Sequence, residues 1–404
     1  MKHNFLLLKN CSIFDNPEIL QDILIRNGKI EKIGNVKETI DSKSTIDISG
    51  KTVIPGIIDP HVHFREPGLT HKEDWTSGSI AAASGGVTTV LSMPNTIPPV
   101  ITVDILEKKR RLAEKSIVNY GFHFGCSSDN NINEIRKVHN IASTKIFLNH
   151  STGDLKIENP SLIEKIFNNS RMITLHAESD KIPFALDIAK KSGKKTYFCH
   201  LSSKNELDTI LLAKNKRIFT EVTPHHLFLH NGPEINQNPR FFMYPTLKKK
   251  EDNNYLLNAL SKGLIDCIGS DHAPHTLSEK ELNPPPAGIP GIQTLLPLML
   301  DAVNKDLLSL ETIVRCTSEN PAKIFGIKDK GKIAEGYDAD IVVCDMEFSQ
   351  VLSDDKMYSK CRWTPYNGLK IKGFPVITIV NGIIKYYFGA FNMISAREVI
   401  FEKF

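Results

Sequence analysis

The sequence predicts an α/β protein: a (β/α)8 TIM-type barrel carrying a small β domain built from both chain ends. Three observations carry that expectation. Eight short apolar runs of β character alternate with helical stretches over about 270 residues, the size and rhythm of such a barrel. Residue types that bind metals recur at the C-terminal ends of these runs. Both chain termini carry strand-turn-strand patterns around an Asn-Gly pair, a strong hairpin signal.

The totals are compatible with this. A chain of 404 residues exceeds the size at which one core usually keeps growing, so a large domain with a smaller one is expected. With 41% hydrophobic and 24% charged residues, it is a globular chain with a sizeable core. The net charge of +4 is spread along the chain, which argues against a nucleic-acid or membrane-surface partner. The seven cysteines are far apart and form no CxxC, and read as reduced thiols of a cytoplasmic protein. No apolar run reaches the length of a membrane span and no charged segment followed by an apolar one stands at the start, so neither a span nor a signal peptide is expected.

Residues 1–52 are expected to form the first part of the small domain, with strands Phe5 to Leu8, Asp22 to Arg26 and Lys29 to Ile33 around the turn Asn27-Gly28. Residues 331–404 supply the second part: Ala339 to Val343, Lys370 to Lys372, Val376 to Val380 and, after Asn381-Gly382, Ile383 to Phe388. Between them, residues 53–330 form the barrel. Its strands are Val53 to His61, Val87 to Met93, Val118 to Phe124, Thr144 to Leu148, Met172 to His176, Thr196 to His200, Ile218 to Val222 and Ile265 to Gly269. Helices are expected at Val103 to Lys115, Ser161 to Asn168, Lys181 to Lys191, Ser203 to Ala213 and Tyr255 to Ser261. A doubly wound sheet is the alternative, but neither GxGxxG nor GxxxxGK[ST] occurs.

The first barrel strand ends in His61 and His63, one residue apart. In an extended chain such positions face the same side, so two imidazoles can hold one divalent ion. The fifth strand ends at His176, the sixth at His200, and Asp271 follows the eighth. A lone strand-end histidine is ordinarily structural; five such residues on one barrel mouth are not readily explained that way. His3, His71, His123, His139, His150 and His230 have no such context. Lys145 begins an apolar strand, where an ammonium costs several kcal/mol unless paired or neutral. A lysine paired with an acid is the plain reading. Beside two metal ions, a neutral amine can instead take up carbon dioxide as a bridging carbamate.

The segments DPHVHFREPG, HKEDW, AAASGGVTTV, SMPNTIPP, KIFLN, LHAE, CHLS, TEVTPHHLFL, GSDHAPHT and PPPAGIPGIQTLLPLML resemble those of the dihydroorotases, cyclic amidases of the amidohydrolase superfamily. The tail GKIAEGYDADIVV matches the family's C-terminal β segment. The chain is most similar to the type with a carboxylated lysine, which includes the dihydroorotase domain of the animal multifunctional pyrimidine protein. The resemblance implies a metal-dependent hydrolase barrel with two Zn2+ per subunit, bridged by carboxylated Lys145 and a hydroxide. His61 and His63 would bind one ion, His176 and His200 the other, and Asp271 would complete the first site. Arg65, Asn95 and His275 would bind the substrate. Cys199 and Glu221 match positions near a further metal of the animal domain. Two departures stand out: Tyr244 precedes Pro245 where the family has Asn or Arg, and the flap Asn149 to Asp154 lacks a Thr-Phe pair.

The implied reaction is the reversible cyclisation of N-carbamoyl-L-aspartate to L-dihydroorotate in pyrimidine biosynthesis. Two ions lower the pKa of a bridging water towards roughly 7, and Asp271 would serve as general base and then general acid. Arg65 suits a substrate carboxylate, which a guanidinium grips with two parallel hydrogen bonds. The resemblance further implies a homodimer and admits association with an aspartate transcarbamoylase. The rivals are a dihydropyrimidinase (hydantoinase) or allantoinase sharing the metal cage, and an inactive homologue serving as a transcarbamoylase partner.

Overall fold

The computed structural model describes residues 5–37, 44–150 and 155–402; His3 and the flap residues 151–154 lie outside them. Eight strands pair in chain order, all parallel: Ile57–Val62, Val87–Ser92, Asn119–Gly125, Ser143–Phe147, Met172–His176, Lys195–Phe198, Ile218–Val222 and Cys267–Ile268. The sheet curls until its edges nearly meet. At that seam His63 N donates to His272 O (2.8 Å), and Asp59 Oδ1 accepts from Ser270 N (3.0 Å). The eighth strand keeps only two residues of ladder, so these seam contacts take over its role in closing the barrel.

Helices cover the outside, and local sequence explains their starts. Thr102 and Asn159 cap Val103–Ala113 and Pro160–Asn169 with side-chain acceptors, the second with Pro at its first position. Ser203 and Glu206 form a reciprocal capping box on Lys204–Ala213. Lys181–Ser192 stops at Gly193, whose φ of 63° suits a residue without Cβ. The helix expected from Tyr255 begins earlier, at Lys250, with Glu251 and Asp252 in its positive first turn. One large apolar cluster joins the outer faces of the strands to the helices.

The expected first barrel strand, Val53 to His61, is divided at Gly56. Thr52–Pro55 pairs antiparallel with Ile341–Val351 and parallel with Phe5–Ile13, so it belongs to the small sheet; the barrel ladder starts at Ile57. Residue 56 is confined to glycine, since a Cβ there would come within 2.2 Å of Thr88 Oγ1. Continuous apolar character hid the break.

Among the described residues the small sheet has nine strands drawn from both chain ends. Phe5–Ile13, Leu20–Arg26 and Lys29–Gly34 form one flank; Ile341–Val351, Lys370–Val380 and Ile383–Tyr387 form the other. Lys370–Val380 runs unbroken where the sequence suggested two short strands. The Asn27-Gly28 and Asn381-Gly382 turns have positive φ throughout, as type I′ hairpins require. They pack on each other: a Cβ on Gly28 would stand 2.9 Å from Asn381 O. The last segment leaves this sheet and crosses beneath the barrel, where Val399 N bonds Tyr120 O and Phe401 N bonds Asn140 Oδ1. All seven cysteines are free and buried. Among the described residues no helix is long and apolar enough to cross a membrane.

Candidate metal centre

The side chains of His61, His63, Lys145, His176, His200 and Asp271 are all buried at the C-terminal mouth of the barrel. Period-two geometry brings the first pair to one side. Their Nε2 atoms lie 3.3 Å (His61) and 3.1 Å (His63) from the same oxygen, Asp271 Oδ1. Across the mouth, His176 Nδ1 faces His200 Nε2 at 2.8 Å. The two halves are contiguous, with the His61 and His200 ring centroids 5.2 Å apart. Two of the six, His200 (φ 35°) and Asp271 (φ 43°), hold left-handed backbone conformations. Non-glycine residues rarely adopt these, and they tend to cluster at functional sites.

The surroundings suit cation binding. Burial holds His61 and His200 well below the usual histidine range, and burial with Arg65 does so for His63. Neutral imidazole is the ligand form. His61 Nδ1 meets Glu221 Oε1 at 2.8 Å and His63 Nδ1 meets Asn95 Oδ1 at 2.7 Å. Each acceptor fixes a proton on Nδ1 and leaves the Nε2 lone pair aimed inward, the usual orienting arrangement behind metal-binding histidines. Among the described residues Nδ1 of His200 is buried without a hydrogen-bond partner, and Nε2 of His176 has none but lies 3.3 Å from Glu178 Oε1. The donor set of five nitrogen and oxygen ligands therefore fits divalent ions such as zinc.

Lys145 has no acid within ion-pair distance among the described residues. Its Nζ reaches the weak acceptor Cys199 Sγ at 3.0 Å and sits 5.1 Å from the Phe147 ring centroid. The plain reading of an acid-paired lysine thus finds no partner among the described residues.

Glu221 does more than its sequence context suggested. It binds His61, accepts from His200 N (3.0 Å) and from Tyr197 Oη (2.9 Å), and burial pushes its carboxyl up to about 8. Asp59, overlooked in the sequence, accepts from both His61 N (3.1 Å) and Ser270 N, so one carboxylate ties the first histidine to the residue preceding Asp271. Its place two residues before HxH was the available signal. Cys199, Glu221 and His61 also form a second group whose ligand atoms lie close together.

Beside the metal-type cluster is a cationic wall. Arg65 is fully buried; its Nε donates to Pro274 O (3.1 Å), its Nη2 lies 3.1 Å from His275 Nε2, and its Nη1 has no partner among the described residues. Lys72 Nζ donates to His275 Nδ1 (3.0 Å), which leaves the proton on Nε2, and Ala287 O accepts there (3.1 Å). Burial, then Arg65 and Lys72, push His275 far down, so its ring is neutral. Asn95 reaches this neighbourhood through His63. Tyr244 stands apart, partly exposed against Phe242, with ring centroids 5.2 Å apart.

Residues 52–384 match the family model described as the amidohydrolase family. The chain is 36% identical to the dihydroorotase of Methanosarcina mazei, covering 98% of this chain and 97% of that one. It is also 36% identical to the dihydroorotase of Pyrococcus furiosus, over 93% and 91%. Among solved structures, an L-hydantoinase (dihydropyrimidinase) from Arthrobacter aurescens superimposes with a TM-score of 0.91 at 27% identity, covering 98% of this chain and 99% of that one. The dihydropyrimidinase from Brevibacillus agri shares the fold, with a TM-score of 0.88 at 23% identity over 99% and 100%. The mouth geometry and these similarities have one common reading: the chain belongs to the amidohydrolase family.

Proposed function

We propose that the protein is a dihydroorotase, interconverting N-carbamoyl-L-aspartate and L-dihydroorotate. The observation that carries this reading over a hydantoinase or allantoinase is Arg65. Its buried guanidinium keeps Nη1 without a partner beside the ligand cluster, and the substrates of the rival enzymes do not require a carboxylate contact there. An unpaired buried cationic donor is costly, and a substrate carboxylate would satisfy it. Full-length similarity to dihydroorotases at 36% identity supports the same choice.

His61, His63 and Asp271 would hold one zinc ion, His176 and His200 a second, with carboxylated Lys145 between them. When bound, such a pair supplies an activated water nucleophile and Lewis acidity at the scissile carbonyl. Asp271 takes the proton from the attacking water and returns it to the leaving ring nitrogen. Arg65 binds the substrate carboxylate beside the neutral ring of His275, and Asn95 both holds His63 and offers its amide. In the direction of ring closure the same groups act in reverse order. The reading places the enzyme in the cytoplasm, as a homodimer, with an aspartate transcarbamoylase as a candidate partner.

The deciding experiment assays ring opening of L-dihydroorotate, dihydrouracil, hydantoin and allantoin with the zinc-loaded protein. A preference for dihydroorotate is expected; a preference for an uncharged ring would transfer the reading to the hydantoinases. Stoichiometric metal without turnover of any of them would favour an inactive partner protein.

A further inference from the structure

Lys280 is among the most deeply buried large side chains of the chain, 1% exposed at the end of the short helix that follows His275. No carboxylate lies within ion-pair distance of it among the described residues. Its Nζ instead donates to three main-chain carbonyls: Phe242 O at 2.8 Å, Pro286 O at 2.9 Å and Gly288 O at 3.1 Å. An ammonium has three N–H bonds, and all three are used. Burial pushes this group down to about 7. An apolar side chain here would leave three converging carbonyls in a dry space, each losing its hydrogen bond.

Two segments are joined in this way. One carries Phe242; the other is the Pro286–Gly288 turn, and Gly288 N also donates to Phe242 O (3.0 Å). That turn lies flat on the His275 segment. A Cβ on Gly288 would come 2.5 Å from Ala273 O and 3.3 Å from His275 Cδ2, and Ala287 O is the acceptor that faces His275 Nε2. Moving the turn therefore moves the ring that stands beside Arg65.

We propose that Lys280 is a positioning residue whose ammonium fills a three-carbonyl cation site and thereby fixes the loop that orients His275 for the substrate. The substrate part rests on the dihydroorotase reading; the clamp itself does not.

The test uses the full-length, metal-loaded protein. In Lys280→Met, KM for dihydroorotate rises about tenfold or more while kcat falls less, the signature of lost positioning in binding. Amide hydrogen exchange over residues 285–291 rises without substrate. In Lys280→Ala, ammonium or methylammonium lowers KM in a saturable way, whereas tetramethylammonium at equal ionic strength does not. Should the Ala variant fail to fold, Lys280→Gln, which keeps two donors, gives a KM between those of the wild type and Lys280→Met. Unchanged KM and unchanged loop exchange in Lys280→Met would overturn the proposal, as would a raised KM indifferent to every small cation. If the wild type does not open dihydroorotate, the functional reading fails separately, and loop exchange alone decides the clamp: a rise supports it and no rise overturns it.

Discussion

His61 Nδ1 and Glu221 Oε1 lie 2.8 Å apart at the barrel mouth, both fully buried. The carboxylate fixes the imidazole tautomer and, through its bond to His200 N, ties the two halves of the cluster together. Glu221→Gln is therefore expected to weaken metal binding by about 10–100-fold while leaving the fold intact. Competition with a chelator measures this, and an unchanged affinity would remove Glu221 from that role.

Asp271→Asn keeps an oxygen toward His61 and His63 but cannot carry the proton. The variant is expected to retain most of its metal and to lose turnover by a factor of about 100–10,000. Metal analysis alongside steady-state kinetics checks both halves; near-wild-type turnover would end the general acid–base assignment.

Lys145→Ala opens a cavity next to Cys199 and Phe147. Added short carboxylic acids should restore part of both metal binding and activity, because they return the two oxygens that a carbamate would supply. A variant insensitive to acetate and propionate, with an unmodified lysine in the wild type by mass, would point to a different bridge.

Asp338 predicts a pH effect on stability. Burial opposes its charge, but Lys330, Lys29 and Arg397 outweigh it and hold its carboxyl at about 2. A folded pKa below the unfolded one means stability present near neutral pH and lost as pH falls from about 4 through 2. Asp338→Asn should cost roughly 1–3 kcal/mol at pH 7, and the difference from wild type should shrink towards pH 2. Denaturant titrations across that range test it, and a pH-independent difference would contradict it.

Much of this was legible in the chain. HxH could be placed because a strand alternates faces, and His176, His200 and Asp271 could be added because the apolar runs before them end where a barrel puts its chemistry. The Asn-Gly turns located the small sheet. What stayed hidden depends on contacts between distant segments. The apolar run divides only because Thr52–Pro55 pairs with Ile341–Val351, and Asp59 matters only because the eighth strand returns to Ser270. That Asn95 also holds His63 through its oxygen shows only when the two are seen together. Lys280 is invisible as a clamp, because its partners are main-chain carbonyls and carbonyls have no residue identity.

Metal stoichiometry combined with anomalous density at the barrel mouth tests the central claim most directly. The account predicts two ions per chain, one among His61, His63 and Asp271 and one at His176 and His200, with extra density on Lys145 between them. A single ion held by Cys199 and Glu221, or metal bound away from these six side chains, would contradict it.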